Sequence, residues 1–173
     1  DLYYSLRDIA FPERGGLLQA EADLVSGSKD VRFLRYGAEA QRFFTLFYSN
    51  RILGLRARLE KLHEIGDEKI IPYSDLLTLG GSQRLRGFGR GAFRGAGTLL
   101  LSAEYRYPIW DTWNAFLFWE EGQVFDQYDQ IEMEEFHSAF GAGISLRTEN
   151  AFLLGLRIAH SVREDVLLGF SLE

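Results

Sequence analysis

The sequence predicts an all-β fold: an antiparallel transmembrane β-barrel of about eight strands, or nine if Leu2 to Ile9 also spans. Three observations carry this. Apolar and polar residues alternate with period two in segment after segment, the spacing that sends successive side chains to opposite faces of a strand. The segments are about 9–12 residues long, enough for a tilted strand to cross a bilayer and longer than the ~5–6 residues usual in soluble sheets. Aromatic residues gather near segment ends: Tyr105, Tyr107, Trp110, Trp113 and Trp119. Rings that are apolar in body and polar at the tip form girdles at membrane interfaces. A soluble sandwich also alternates, with its apolar face in a core. Segment length and ring placement favour the membrane version. A helical reading would scatter charges over every face.

The elements follow in order. In Leu2 to Ile9, Leu2, Tyr4 and Leu6 alternate with Tyr3, Ser5 and Arg7. From Leu17 to Val25, Leu18, Ala20, Ala22 and Leu24 alternate with Gln19, Glu21 and Asp23. From Arg32 to Gln41 the apolar set is Leu34, Tyr36, Ala38 and Ala40, opposed by Arg35, Glu39 and Gln41. From Ile52 to Glu60, Leu53, Leu55, Ala57 and Leu59 oppose Arg56, Arg58 and Glu60. From Thr98 to Tyr107, Leu99, Leu101, Ala103, Tyr105 and Tyr107 oppose Thr98, Ser102, Glu104 and Arg106. Further strands are expected at Trp113 to Glu121, Phe136 to Arg147, Ala151 to Ser161 and Val166 to Leu172. Short connections at Phe11 to Arg14, Pro108 to Asp111 and Thr148 to Asn150 contrast with long ones at His63 to Arg94 and Phe125 to Glu135. Barrels of the outer membrane have short periplasmic turns and longer outer loops. This phase sends Leu18, Leu34, Leu55, Leu101, Leu117, Leu154 and Leu168 to lipid. It sends Glu21, Arg35, Arg58, Glu104, Glu120 and Arg157 to the lumen.

Composition excludes other classes. The chain of 173 residues has a formal net charge of −6, against a general nucleic-acid binder. It has no cysteine, so neither a disulfide framework nor a thiolate metal site is available. No apolar run approaches the ~18 residues of a spanning helix, which leaves strand-crossing proteins untouched. No Gly-x-Ser-x-Gly elbow supports a serine hydrolase. Gly87-Phe88-Gly89-Arg90-Gly91 breaks the spacing of a dinucleotide loop. His63, His137 and His160 lack ligand spacing and read as loop or interfacial residues. Neither a cofactor nor a catalytic residue is nominated. The first residue is Asp1 rather than methionine, so a processed form or an excised piece is expected.

One constellation stands out. The longest connection ends in Gly80-Gly81-Ser82-Gln83-Arg84-Leu85-Arg86-Gly87-Phe88. The next strand carries Glu104-Tyr105-Arg106-Tyr107-Pro108, and the one after it ends Phe118-Trp119-Glu120-Glu121-Gly122-Gln123-Val124-Phe125. Upstream lie Arg7-Asp8 and Phe11-Pro12-Glu13-Arg14-Gly15. The order of these motifs, over nearly the whole chain, resembles the BamA/TamA family of outer-membrane proteins.

The resemblance implies that the long outer loop folds back into the barrel, its arginine meeting acids on the two strands that follow. Residue by residue, Arg86 would be that arginine, within Arg86-Gly87-Phe88. Glu104 and Glu120 would be the acids, Glu120 standing where the family usually has aspartate. Strand phase independently turns both acids inward, and a planar guanidinium suits two-point binding of carboxylate. Beside that resemblance, Arg84, Arg86, Arg90 and Arg94 cluster in an acid-free stretch, which suits phosphate or lipid head-group binding, though pairing with lumen acids such as Glu21, Asp23 and Glu39 is the favoured expectation. Gly141 and Gly143 fall on the lumen face, either making room for the loop or relieving strand curvature. Family members usually end on an aromatic residue that the assembly machinery reads; this chain ends Leu172-Glu173, so either the terminus is trimmed or Phe170 serves as the terminal strand signal.

The implied function is non-enzymatic: aiding insertion or translocation of proteins, or lipids, at the Gram-negative outer membrane. The implied partners are outer-membrane lipids, client outer-membrane proteins and periplasmic accessory domains, with a homo-dimer also open. A structural or secretion barrel anchoring a passenger domain, and an outer-membrane lipase, are the alternatives. Residues 1–173 are expected to form one barrel domain, either a complete small barrel or the C-terminal half of a 16-stranded one. Eight strands enclose room for little beyond their own side chains. The expectation is therefore an open half-barrel with the loop inside, or a small barrel with the loop over its mouth.

Overall fold

The computed structural model describes residues 14–27, 32–46, 51–65, 71–110, 112–147, 153–161 and 167–172. The candidate strand Leu2 to Ile9 lies outside them. The described strands are β1 (Gly15–Ser26), β2 (Arg32–Leu46), β3 (Arg51–Glu64), β4 (Leu77–Leu79), β5 (Phe93–Gly95), β6 (Gly97–Pro108), β7 (Trp113–Phe125), β8 (His137–Arg147), β9 (Leu153–Ser161) and β10 (Leu167–Leu172). Eight form one antiparallel sheet, ordered β1-β2-β3-β6-β7-β8-β9-β10; β4 and β5 form a separate hairpin inside the long connection. All eight expected strands are present. Several run further than the alternation suggests, β2 to Leu46 and β3 to Glu64. The ladder continues where outward side chains need no longer be apolar, as Lys61 and His63 on β3 show.

Direct neighbours across a ladder share a face. Leu24 faces Leu34, Leu55 faces Ala103, and Leu117 faces Tyr105 and Ala142, all on the outer face. Leu18 is 72% exposed and Leu117 52%, as lipid-facing residues must be in a chain without its bilayer. Glu21, Arg35, Arg58, Glu104, Glu120 and Arg157 take the inner face. The side chains of Leu154 and Leu168 lie outside the described residues.

Among the described residues, β1 and β10 do not pair with each other. The sheet is open rather than a closed eight-stranded barrel. The loop lies against the inner wall rather than over a mouth. A single sheet has no second layer, so a core forms where the loop supplies one. Leu79, Leu85 and Phe88 of the loop pack on Leu100 of β6 and Ala139 of β8. A second cluster joins Leu77 to Phe33 and Leu62.

Candidate functional site

The loop first folds on itself. Gly80 and Gly81 adopt positive φ, 103° and 115°, conformations that cost glycine little. Gly80 N–H donates to the Arg84 carbonyl at 2.9 Å, and Gly81 N–H to the Phe88 carbonyl at 3.0 Å. Leu85 also has positive φ, 61°, which costs an L-residue about 1–2 kcal/mol. Its fully buried side chain, packed in the loop core, holds it there. This turn sends its two flanking arginines to different strands.

Arg86 reaches β6 and β7. Ser102 pairs with Glu120, and Glu104 with Phe118, so the two acids are diagonal neighbours on the inner face. Two carboxylates so placed repel unless a cation joins them. Arg86 does so: its Nε donates to Glu120 Oε1 at 2.7 Å, and its Nη1 to Glu104 Oε2 at 2.6 Å. Its backbone N–H donates to Glu120 Oε2 at 2.6 Å. Arg106 holds the other oxygen of Glu104 at 2.6 Å. Glu120 is buried, and both of its oxygens are bonded.

The wall beneath is shaped for this. The Arg86 guanidinium lies 3.8 Å over the Phe118 ring, a cation–π contact strengthened by burial. Phe118 lies over Gly141, where an added Cβ would meet its ring at 2.7 Å, and Phe116 likewise covers Gly143. These glycines therefore make room for two rings of β7, one of which carries the loop's arginine. The loop itself comes closest at Gly87, where an added Cβ would lie 2.7 Å from Ala139 Cβ and 3.0 Å from the His160 carbonyl.

Arg84 reaches the other way, to β3, where its Nη1 meets Glu60 Oε2 at 2.7 Å. Burial lowers the Arg84 guanidinium from its ordinary value, and Glu60 opposes that. Glu60 also accepts from Arg35 at 2.8 Å and Arg58 at 2.9 Å. Sequence reasoning had paired Arg84 with Glu21, Asp23 or Glu39. Instead Glu39 holds Arg56 and Arg58 at 2.9 and 2.8 Å, and Glu21 holds Arg58 at 3.1 Å. Arg58 is the register partner of Glu39 and Arg56 its diagonal neighbour, while Arg58 reaches Glu21 across β2. Arg94 lies 5.0 Å over the Tyr73 ring, and Arg90 is exposed.

The structure thus brings Arg86, Gly87, Phe88, Glu104 and Glu120 together and leaves Phe170 apart. The backbone of Phe170 pairs with Leu156 on the other side of the sheet; its side chain lies outside the described residues. Sequence reasoning missed the hairpin β4–β5 and the role of Glu60. It also placed His137 in a loop or interface. His137 stacks on Phe93 at 3.9 Å, because it opens β8 on the inner face, beneath the hairpin.

Residues 1–162 match the family model of the Omp85 superfamily domain. The chain belongs to the Omp85 superfamily. No curated protein matches the sequence. Among solved structures, it is similar to BamA from Haemophilus ducreyi lacking POTRA domains 1-3, with a TM-score of 0.79 and 16% identity. That likeness covers 99% of this chain and 39% of the other, so the chain spans about two fifths of that relative. The resemblance to the BamA/TamA family read from the motifs is borne out. As an Omp85 chain it is an outer-membrane β-barrel, in the Gram-negative outer membrane.

Proposed function

We propose that this Omp85 barrel aids the insertion or translocation of proteins at the outer membrane, without enzymatic activity of its own. The observation that carries the reading is the clasp of Arg86 on Glu120 and Glu104. A weak seam would supply the route. A strand edge left without a full partner can template an incoming strand by β-augmentation. Client outer-membrane proteins and periplasmic accessory domains are the proposed partners, with lipid around the outer face. Residues 1–173 act as one barrel domain, and Phe170 serves as the terminal strand signal.

The test is reconstitution of the native polypeptide in liposomes with an unfolded client barrel. Client folding should accelerate over empty liposomes, and Arg86→Ala should remove most of the gain. Equal client folding in empty and loaded liposomes would overturn the reading.

A further inference from the structure

The loop touches five adjacent strands of the sheet. Arg84 holds Glu60 on β3; Arg86 holds Glu104 on β6 and Glu120 on β7. Gly87 abuts Ala139 on β8 and the His160 carbonyl on β9. Arg35 of β2 meets the same Glu60. The two arginines therefore pull from one turn toward opposite sides, with the buried Leu85 as pivot.

We propose that Arg84 is a second positioning residue for the loop, acting through Glu60 to tie it to β2–β3 while Arg86 ties it to β6–β7. The inference deepens the assembly reading and rests on it where it concerns client folding. The buried Glu60 carboxylate gathers three guanidiniums, of which Arg84 alone comes from the loop. Removing Arg84 leaves Glu60 neutralised by Arg35 and Arg58, so the wall survives while the loop loses one anchor.

The two anchors differ in chemistry. Arg86 uses Nε, Nη1 and its backbone N–H on two carboxylates, a fork that lysine cannot reproduce. Arg84 makes its ion pair through Nη1 alone, which a single ammonium can supply. Lysine should therefore be tolerated at position 84 and not at 86.

The experiment is hydrogen exchange on the native polypeptide in nanodiscs, read at the amides of Gly80, Gly81 and Phe88, which close the loop on itself. Arg84→Gln should speed exchange about tenfold, the loss of one charge-assisted bond. Arg84→Lys should stay within about twofold of the parent, and Arg86→Lys should match Arg86→Gln. Unchanged exchange in Arg84→Gln overturns the proposal. So does Arg84→Lys exchanging as fast as Arg84→Gln, which would assign the effect to side-chain shape rather than charge. Client folding is measured on the same samples. Exchange that responds in a parent that folds no client faster than protein-free membranes leaves the anchor standing and removes the assembly reading.

Discussion

Replacing Glu120 by glutamine keeps the shape of a buried side chain and removes its charge. Glu120 is 3% exposed and receives two hydrogen bonds from Arg86, at 2.6 and 2.7 Å. A bond to a charged group contributes about 1.5–3 kcal/mol, against about 1 for a neutral pair. Glutamine offers one acceptor where Glu120 offers two, so one bond weakens by about 0.5–2 kcal/mol and the other is lost, leaving an N–H donor against the amide NH2 at a cost of about 1–3 kcal/mol. Leaving Arg86 with no partner would cost about 3–5 kcal/mol, but Glu104 still holds it at 2.6 Å. The expected loss in loop docking is about 2–3 kcal/mol, a shift of about 30- to 150-fold. The chain has no cysteine, so Ser82→Cys provides one thiol on the loop for an environment-sensitive dye. Urea titration then reads loop release in the parent, Glu120→Gln, Arg86→Gln and the double variant. The double variant should fall short of the summed single effects by about 2 kcal/mol. A coupling below about 0.5 kcal/mol, the scatter of independent sites, would refute the claim that these residues hold the loop together.

Gly87→Ala should weaken docking by about 1–3 kcal/mol through overpacking, and Ala139→Gly should recover part of it, both on the same dye. Polar substitutions at two neighbouring positions test the faces: Leu101→Glu should cost about 2 kcal/mol for folding into vesicles. Ser102→Gln should cost less than about 1 kcal/mol, because its register partners Arg56 and Glu120 are both polar. Phe118→Leu should remove the ring beneath the Arg86 guanidinium and raise exchange across the loop, by less than Arg86→Gln does. Phe170→Ala should reduce barrel insertion in cells; unchanged insertion would remove its role as a signal.

The wall was legible and its covering was not. Period two fixes a face for each residue, so Leu55, Arg58, Glu104 and Glu120 could be placed without coordinates. The acids meeting Arg86 could be named because motif order supplied what spacing lacks, a partner across some twenty to thirty residues. Loop geometry has no comparable periodicity. The short strands Leu77–Leu79 and Phe93–Gly95 are too brief to show alternation. The pairing of Arg84 failed for a related reason. The inward acids were legible as a set, but choosing Glu60 over Glu39 requires the position of the turn over the wall, which strand phase does not give. Gly141 and Gly143 were legible as inward-facing small residues, with room for the loop and relief of curvature both open. What fills that space comes from the neighbouring strand, at Phe116 and Phe118, which only the register of β7 against β8 reveals.

The clasp also has a consequence for error detection during folding. Residues 77–95 precede β6 and β7 in the chain, so the loop exists before two of its three acids. A one-residue slip in a strand turns its side chains to the opposite face. Slippage of β7 would point Glu120 at lipid, and slippage of β3 would do the same to Glu60. In the first case Arg86 keeps only Glu104, in the second Arg84 loses its carboxylate, and Leu85 and Phe88, now almost fully covered, are left poorly seated. Docking is thus complete only when β3, β6 and β7 are all aligned. A local ladder hydrogen bond reports on two strands, whereas the seated loop reports on the whole wall at once. A misaligned sheet is thereby marked, before any later step, by a turn with two poorly seated apolar side chains.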